Sequence, residues 1–339
     1  MPQYLIKQDN PFTYKSQILK FWQEYLTDTP PQRLEWMMNG NPAGPSTWFF
    51  AFEQNSCELV GMISLTPREL MANGSKIRAG ILGDVVVDKK HRVSGPALNL
   101  VKKALNAMDS MNLSLIYSIP NPYSEKLFTR SGLHIIGQFL HLVRPIDFHY
   151  YQKKYINRLS SILPSSAMES VLKILSRDTY SSDSGIHEQK MIDEEFNTLW
   201  KNYQIPPEVI IGVRGCEYIQ WKFIDNPLSS FHVISSIDKK TNRLFGYLAY
   251  RIADKQMHIY DLFAEKDAFT FGLLKRVAKI AQKNNCIGIY VRLSEMTPMI
   301  KVFKKCNYFD AMDRAPIFVK FKEELNLDHW EFFSGDRNI

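Results

Sequence analysis

The sequence predicts an α/β (α+β) fold made twice over: two tandem domains, each a mixed central sheet flanked by helices. Three observations carry that expectation. Runs of β-branched and aromatic residues of strand length alternate with apolar stripes of helical spacing. A set of sequence anchors in the first half returns at nearly constant offsets in the second. Residues 81–98 read as a buried strand, a basic turn, and a glycine that opens a helix, the pattern of an anion cradle.

In chain order, residues 16–26 predict a helix with Ile18, Trp22, Tyr25 and Leu26 on one side. A short helix over 32–38 stops at Asn39-Gly40. Residues 48–53 and 59–66 predict neighbouring strands joined by Gln54-Asn55-Ser56. A loop holding Pro67, Asn73 and Gly74 should lead to the central strand, where Val85, Val86 and Val87 fit burial on both faces. From Ala97 the apolar positions 97, 98, 101, 104, 105 and 108 form a helical stripe, with Pro96 suited to the first turn. Residues 113–118 form another strand. Pro120-Asn121-Pro122 breaks it and starts a helix to Arg130, and Gly132 turns the chain into a strand pair around 134–143.

The second half repeats this plan. Trp36-x4-Asn41-Pro42 returns as Trp221-x4-Asn226-Pro227. Gly61 and Gly246 each lie 19 residues beyond those prolines. Asp84 to Lys89 matches Asp261 to Lys266, and Leu127-Phe128 answers to Val302-Phe303. The domains expected are 1–147 and 186–339. Between them, 148–185 holds a helical connector over 148–178 and a serine-rich linker at 181–185. The two tryptophans suit core packing, with a pocket wall as the alternative.

Around the central strand, Lys89, Lys90 and Arg92 add positive charge to the free N–H groups of the following helix, and Gly95 lets the backbone come close to a ligand. The string Arg92-x-x-Gly95-x-Ala97 after such a strand resembles the acetyl-CoA motif of the GNAT superfamily of N-acyltransferases. The resemblance implies that Arg92, Val93, Ser94, Gly95, Pro96, Ala97 and Leu98 hold the CoA pyrophosphate. It implies that Val85, Val86 and Val87 border the thioester, with the N–H groups of Val86 and Val87 facing its oxyanion. Asn121 would touch the pantetheine arm. Phe128 stands where many relatives carry a tyrosine that protonates the leaving thiolate, so Tyr123 is a candidate substitute. Asp84, beside Gly83 and valines, is the titratable group nearest to an incoming amine, and desolvation there would raise its pKa. After Asp261 no Arg-x-x-Gly-x-Ala follows. Glu265 and Asp267 would repel a diphosphate, so the second domain is expected to wall the acceptor pocket instead. The tail 330–336 resembles the end of other tandem GNAT proteins.

The implied activity is direct transfer of an acetyl or other acyl group from acetyl-CoA to a primary amine, on a small molecule or a peptide. A non-catalytic CoA-binding module and an aminoacyl-tRNA-dependent peptidyltransferase are the alternatives. The 339 residues carry 45% apolar and 23% charged residues, ordinary globular values, and a net charge of +7 that suits an anionic co-substrate without arguing for nucleic acid. Four cysteines without Cys-x-x-Cys spacing, no signal-like start and no apolar run of spanning length predict a cytoplasmic chain with no metal and no membrane partner, acting as a monomer or a homodimer.

Overall fold

The computed structural model describes residues 3–147, 150, 186–189, 191–238, 240–241, 243–323 and 329–337. The helical connector and the serine-rich linker expected between the halves fall outside the described residues. A mixed α/β architecture is present, with one sheet of 14 strands and helices packed on it. No helix among the described residues is long and apolar enough to cross a membrane.

The first half runs β1 (Tyr4–Asp9), α1 (Lys15–Tyr25), α2 (Gln32–Glu35) continued by a π-turn (Trp36–Gly40), β2 (Thr47–Glu53), β3 (Leu59–Ala72), β4 (Ser75–Val87), α3 (Pro96–Asn106), β5 (Leu115–Ser118), α4 (Glu125–Ser131) and β6 (His134–Pro145). The loop expected around Pro67 is strand instead. β3 continues to Ala72 and turns through Asn73-Gly74, both at positive φ, straight into β4. Such a two-residue turn suits the twist of a hairpin. Pro67 is tolerated because β2 has already left β3 at Leu65, so the missing N–H costs no ladder bond on that edge. The strand pair expected near 134–143 is a single strand, β6.

The second half repeats this order with two short additions: β7 (Ile186–Gln189), α5 (Glu194–Asn202), β8 (Val209–Gly212), α6 (Cys216–Ile219) with a π-turn (Gln220–Ile224), β9 (His232–Ile237), β10 (Leu244–Ala253), β11 (Gln256–Ala264), α7 (Asp267–Lys283), β12 (Gly288–Ser294), α8 (Met299–Lys305), β13 (Phe309–Phe321) and β14 (His329–Glu331).

The halves exchange their long late strands. The main path is β1-β2-β3-β4-β5-β13-β6-β12-β11-β10-β9-β7. β13 of the second half thus pairs with β5 of the first, while β6 of the first pairs with β12 of the second. The two strands also pair with each other, so the ladder runs unbroken across the middle.

At the same junction the two π-turns meet. Trp36 and Trp221 stack with ring centroids 4.4 Å apart and planes 15° from parallel. Each indole donates to the other's main chain: Trp36 Nε1 to Trp221 O at 2.8 Å, and Trp221 Nε1 to Trp36 O at 2.9 Å. A Cβ at Gly40 would meet Trp221 Cδ1 at 2.8 Å, so the turn needs a glycine there. The repeated tryptophan is therefore a reciprocal lock between the halves and not a pocket wall.

Lys222 lies beside this lock, buried, with Nζ 5.4 Å from the Trp36 ring and 5.6 Å from the Trp221 ring. It donates to Arg337 O at 2.7 Å. Burial, and then the charge of Arg68, lower its ammonium pKa from 10.5 to about 7. Between those two values the unfolded chain holds a proton that the native chain has released, so stability rises with pH across that window. Below it both states are protonated and the cost of burying the charge is constant. Replacement of Lys222 by Met should raise the melting temperature at neutral pH and flatten its rise towards alkaline pH. A variant with the wild-type slope in thermal melts across that range would show that Lys222 is not the titrating group.

Candidate active site

The first half's cleft forms because β4 and β5 part company. They pair in parallel from Ala79↔Leu115 to Ile81↔Tyr117, and beyond that β5 ends at Ser118 while β4 runs on to Val87. A β-bulge bends β4 at the same place. The β3 register jumps from Ser64↔Gly83 to Met62↔Val86, so that Asp84 and Val85 stand opposite the single residue Ile63. Asp84 sits there at φ +50°, a left-handed conformation uncommon outside glycine. Between the diverging strands lies a slot of about 240 Å³, lined among others by Leu82, Val85, Ser118, Asn121, Phe128 and the tail residues Phe332 and Arg337.

Four of the expected residues line this slot, Asp84, Val85, Asn121 and Phe128, with Gly83 beside them. The Asn121 side-chain oxygen accepts from Ser124 N and Ser124 Oγ, both at 3.1 Å, which shapes the turn into α4. Phe128 is buried and meets Phe318 of the exchanged strand edge-on at 5.8 Å. Asp88 N donates to Val60 O, so strand alternation turns the peptide of Val86 towards β3 as well. Val87 faces the other way, and its carbonyl accepts from Arg92 Nε at 3.1 Å. Of the two N–H groups expected at the oxyanion, Val87's faces away from the ladder and Val86's is taken up by it.

The basic turn is a short 3₁₀ helix, Lys89–Ser94, opened by Asp88, whose Oδ1 accepts from Lys90 N at 2.9 Å. Gly95 follows at φ +94°, and Pro96 begins α3. A Cβ at Gly95 would meet nothing within 4 Å, so the space over the helix start is open. Arg92 is exposed, with its guanidinium 5.1 Å from the Tyr25 ring. Ala97 and Leu98 lie in the first turn of α3, and Val93 and Ser94 in the 3₁₀ segment. This arrangement fits a diphosphate: open backbone, free helix N–H groups and exposed cations. His91 bonds through Nδ1 to the Tyr4 hydroxyl at 3.0 Å, away from the slot chemistry.

Two expectations about proton transfer need correction. Tyr123 is 96% exposed and is not among the residues lining the slot, so nothing holds its hydroxyl near a leaving thiolate. Asp84 is buried, but Arg33 donates to both of its oxygens and Ser64 Oγ donates to Oδ2 at 2.6 Å. Those donors occupy the lone pairs that an ammonium would seek, and the charge is already matched. Arg33 was not legible as a site residue. Its partner lies 51 positions away, and only the fold joins them.

A second cavity of about 600 Å³ adjoins the slot and shares Leu26, Asp84 and Arg337 with it. The first half also contributes Thr27 to Thr29, Arg33 and His141, and the second half adds Arg251, His258, Tyr260, Tyr290 and Arg292 from β10, β11 and β12 and the loop Asn226 to Phe231. His141 of β6 and His258 flank Tyr290, with ring centroids at 5.6 and 5.2 Å. Burial, followed by Arg251 and other cations, pushes His258 down to about 4, and burial with Arg292 lowers His141.

The matching strand parting in the second half is closed. β11 and β12 pair only to Ile259↔Val291, with a bulge at Tyr260. The chain's own tail enters there: Leu293 bridges to Phe333, Ser294 N donates to Phe332 O at 2.9 Å, and a Cβ on Gly335 would meet Tyr260 O at 2.9 Å. Beside the start of α7, Arg243 grips Glu265 at 2.7 and 3.0 Å, and Phe245 stacks on Phe269 at 4.5 Å.

Residues 13–135 match the family model described as an acetyltransferase (GNAT) domain. No curated protein matches the sequence. Among solved structures, the chain is similar to a conserved Enterococcus faecalis protein described as a probable N-acyltransferase, with a TM-score of 0.66 at 10% identity, over 96% of this chain and 73% of that one. A GCN5-related N-acetyltransferase from Anabaena variabilis superposes with a TM-score of 0.63 at 9% identity, over 94% and 73%. Saccharomyces cerevisiae N-myristoyltransferase with bound myristoyl-CoA gives 0.57 at 10% identity, over 94% and 84%. At such identities the likeness establishes the fold. The family match covers residues 13–135, and the fold along the rest of the chain is similar to that of these acyltransferase structures.

Proposed function

We propose that this chain is an acetyl-CoA-dependent N-acetyltransferase acting on a primary amine by direct attack. Residues 1–147 would form the domain that holds the co-substrate, and 186–339 a degenerate copy that walls the acceptor cleft. One observation carries the reading: an open slot where β4 and β5 part, above a glycine-opened helix start, while the equivalent parting in the second half is filled by the tail.

In this reading the diphosphate rests on the N–H groups at Gly95 to Leu98 with Arg92 beside it, and the pantetheine arm runs past Asn121 and Phe128. The thioester carbonyl meets the peptide edge of β4 at Val85 and Val87. A thiol with a pKa of about 8.5 leaves tolerably as thiolate near neutral pH, so the absence of a tyrosine at Phe128 is no bar to the reaction. Asp84 serves as an anchor, fixing the bulge and Arg33 at the junction of slot and cleft. The engaged Asp84 and the buried Phe128 also favour a second reading, CoA binding without turnover.

Acetyl-CoA at saturation should raise the melting temperature by a few degrees, since a ligand at about 100 times its Kd adds about 2.7 kcal/mol. Gly95→Glu should abolish that shift. Gly95→Ala, which brings the same positive-φ strain without charge, should keep part of it. No shift at millimolar acetyl-CoA would sink the proposal, and a shift without turnover over a broad amine panel would favour the non-catalytic reading.

Asp84→Asn tests the anchor role. It leaves Arg33 buried without its counter-charge, so urea unfolding should show a loss of about 3 kcal/mol while the acetyl-CoA shift survives. Wild-type stability with lost turnover would instead make Asp84 the base.

A further inference from the structure

The larger cleft carries a charge pattern that acetyl-CoA binding does not use. Among its lining side chains, Arg33 and Asp84 neutralise each other, and Arg292 donates to Asp313. Asp28, on an exposed part of the rim, is the remaining carboxylate in that lining. Arg251 and Arg337 have no carboxylate partner among the described residues. Arg251 gives one N–H to Ser229 Oγ at 2.7 Å and lies 5.4 Å from the Tyr260 ring, while its Nε is buried with no hydrogen-bond partner. The Arg337 guanidinium lies 5.8 Å from the Phe139 ring. Burial and the nearby Arg292 hold it below its ordinary value.

Both arginines are half-buried; a guanidinium partly withdrawn from water without a counter-ion is costly, and each presents a planar fork suited to two oxygens. The cleft floor adds the Tyr290 ring between two imidazoles whose pKa values burial lowers. Asp313, which bonds His141 at 3.2 Å and Arg292, is already engaged and is not part of the lining, so the floor offers aromatic surface and no unengaged carboxylate. An acceptor bound by its ammonium would find no carboxylate on that floor. An acceptor with an oxyanion would find two unmatched arginines. Arg337 also lines the slot, so an anion held there keeps the rest of the molecule at the junction where slot and cleft share Leu26 and Asp84.

We infer that the acceptor is a primary amine that also bears an oxyanion, a carboxylate or a phosphate, bound by Arg251 and Arg337 with its amine directed to the slot. This rests on the acyltransferase reading above. The nitrogen of the neutral amine forms the new C–N bond, the C–S bond of the thioester breaks, and the thiolate leaves with the electron pair. One proton from the nitrogen passes to the thiolate or to water, giving the amide and free CoA.

The test pairs amines with and without the anion. Initial rates with acetyl-CoA are measured for glutamate, glycine and phosphoethanolamine, and for glycinamide and ethanolamine as neutral counterparts. The anionic members should show kcat/KM at least about tenfold higher than their counterparts, the scale of one charge-assisted hydrogen-bond pair. Preference within the anionic set separates carboxylate from phosphate. Arg251→Gln and Arg337→Gln should each raise the acceptor KM about tenfold or more while kcat falls far less and the acetyl-CoA KM holds. Arg251→Lys, which keeps charge but loses the fork, should fall between. Equal use of neutral and anionic amines, or an unchanged acceptor KM in folded Gln variants, overturns the inference while leaving acetyl transfer standing.

Calorimetric titration of phosphoethanolamine and of glutamate, with CoA present, reads the cleft without turnover. Saturable binding that Arg251→Gln abolishes supports the site even if acetylation fails. Absence of binding for both probes, with the acetyl-CoA melting shift intact, rejects it.

Discussion

One buried carboxylate ties the molecule together. Asp336, near the end of the described chain, accepts from Arg68 of β3 at 3.1 Å and from Arg214 of the second half at 3.1 Å. Arg214 is also clasped by Asp261, and Arg68 lies 3.5 Å from the Tyr218 ring. All of these groups are buried. Burial alone would raise the Asp336 carboxyl, but Arg214 and Arg68 hold it below its ordinary value. Such a network is weak as a source of net stability and strong as a constraint, because removing one member strands the others in a dry interior.

The rest of the site follows from where that carboxylate pins the tail. Tyr117 donates to Asp336 O at 2.7 Å and Tyr218 to Gly335 O at 3.1 Å, so main chain as well as side chain is held from both halves. Phe332 packs edge-on against Tyr117 and Phe139 at 5.2 and 5.7 Å. The tail then has two faces. One fills the parting of β11 and β12, and the other supplies Phe332 and Arg337 to the slot between β4 and β5. A nearly symmetric pair of halves, locked at Trp36 and Trp221 and sharing exchanged strands, becomes asymmetric through about ten residues of its own chain.

What could be read from the sequence was local chemistry. The helix stripe from Ala97, the glycine before Pro96, the Asp–x–x–x–Asp strand and the repeated Trp-x4-Asn-Pro all rest on neighbours within one or two turns, and each appears in the structure. What could not be read was set by distant partners. Asp84 looked like a desolvated base because Arg33 lies on another element. Tyr123 looked like a substitute acid because spacing says nothing of which way a loop side chain turns. The strand exchange left no trace, since the partners of β6 and β13 lie in the other half of the chain. The tail 330–336 resembles the end of other tandem GNAT proteins, but what it touches is set by the fold: Trp330, Phe332 and Phe333 are buried. Arg251 and Arg337 carried no signal at all, being single arginines in unremarkable surroundings.

The function proposed above requires an asymmetry: two halves of similar fold, of which the first would hold acyl-CoA while the tail fills the matching strand parting in the second. Calorimetric titration with CoA measures it directly. The account predicts one molecule of CoA per chain, with binding lost in Gly95→Glu. A stoichiometry of two, or binding that Gly95→Glu leaves untouched, would contradict it.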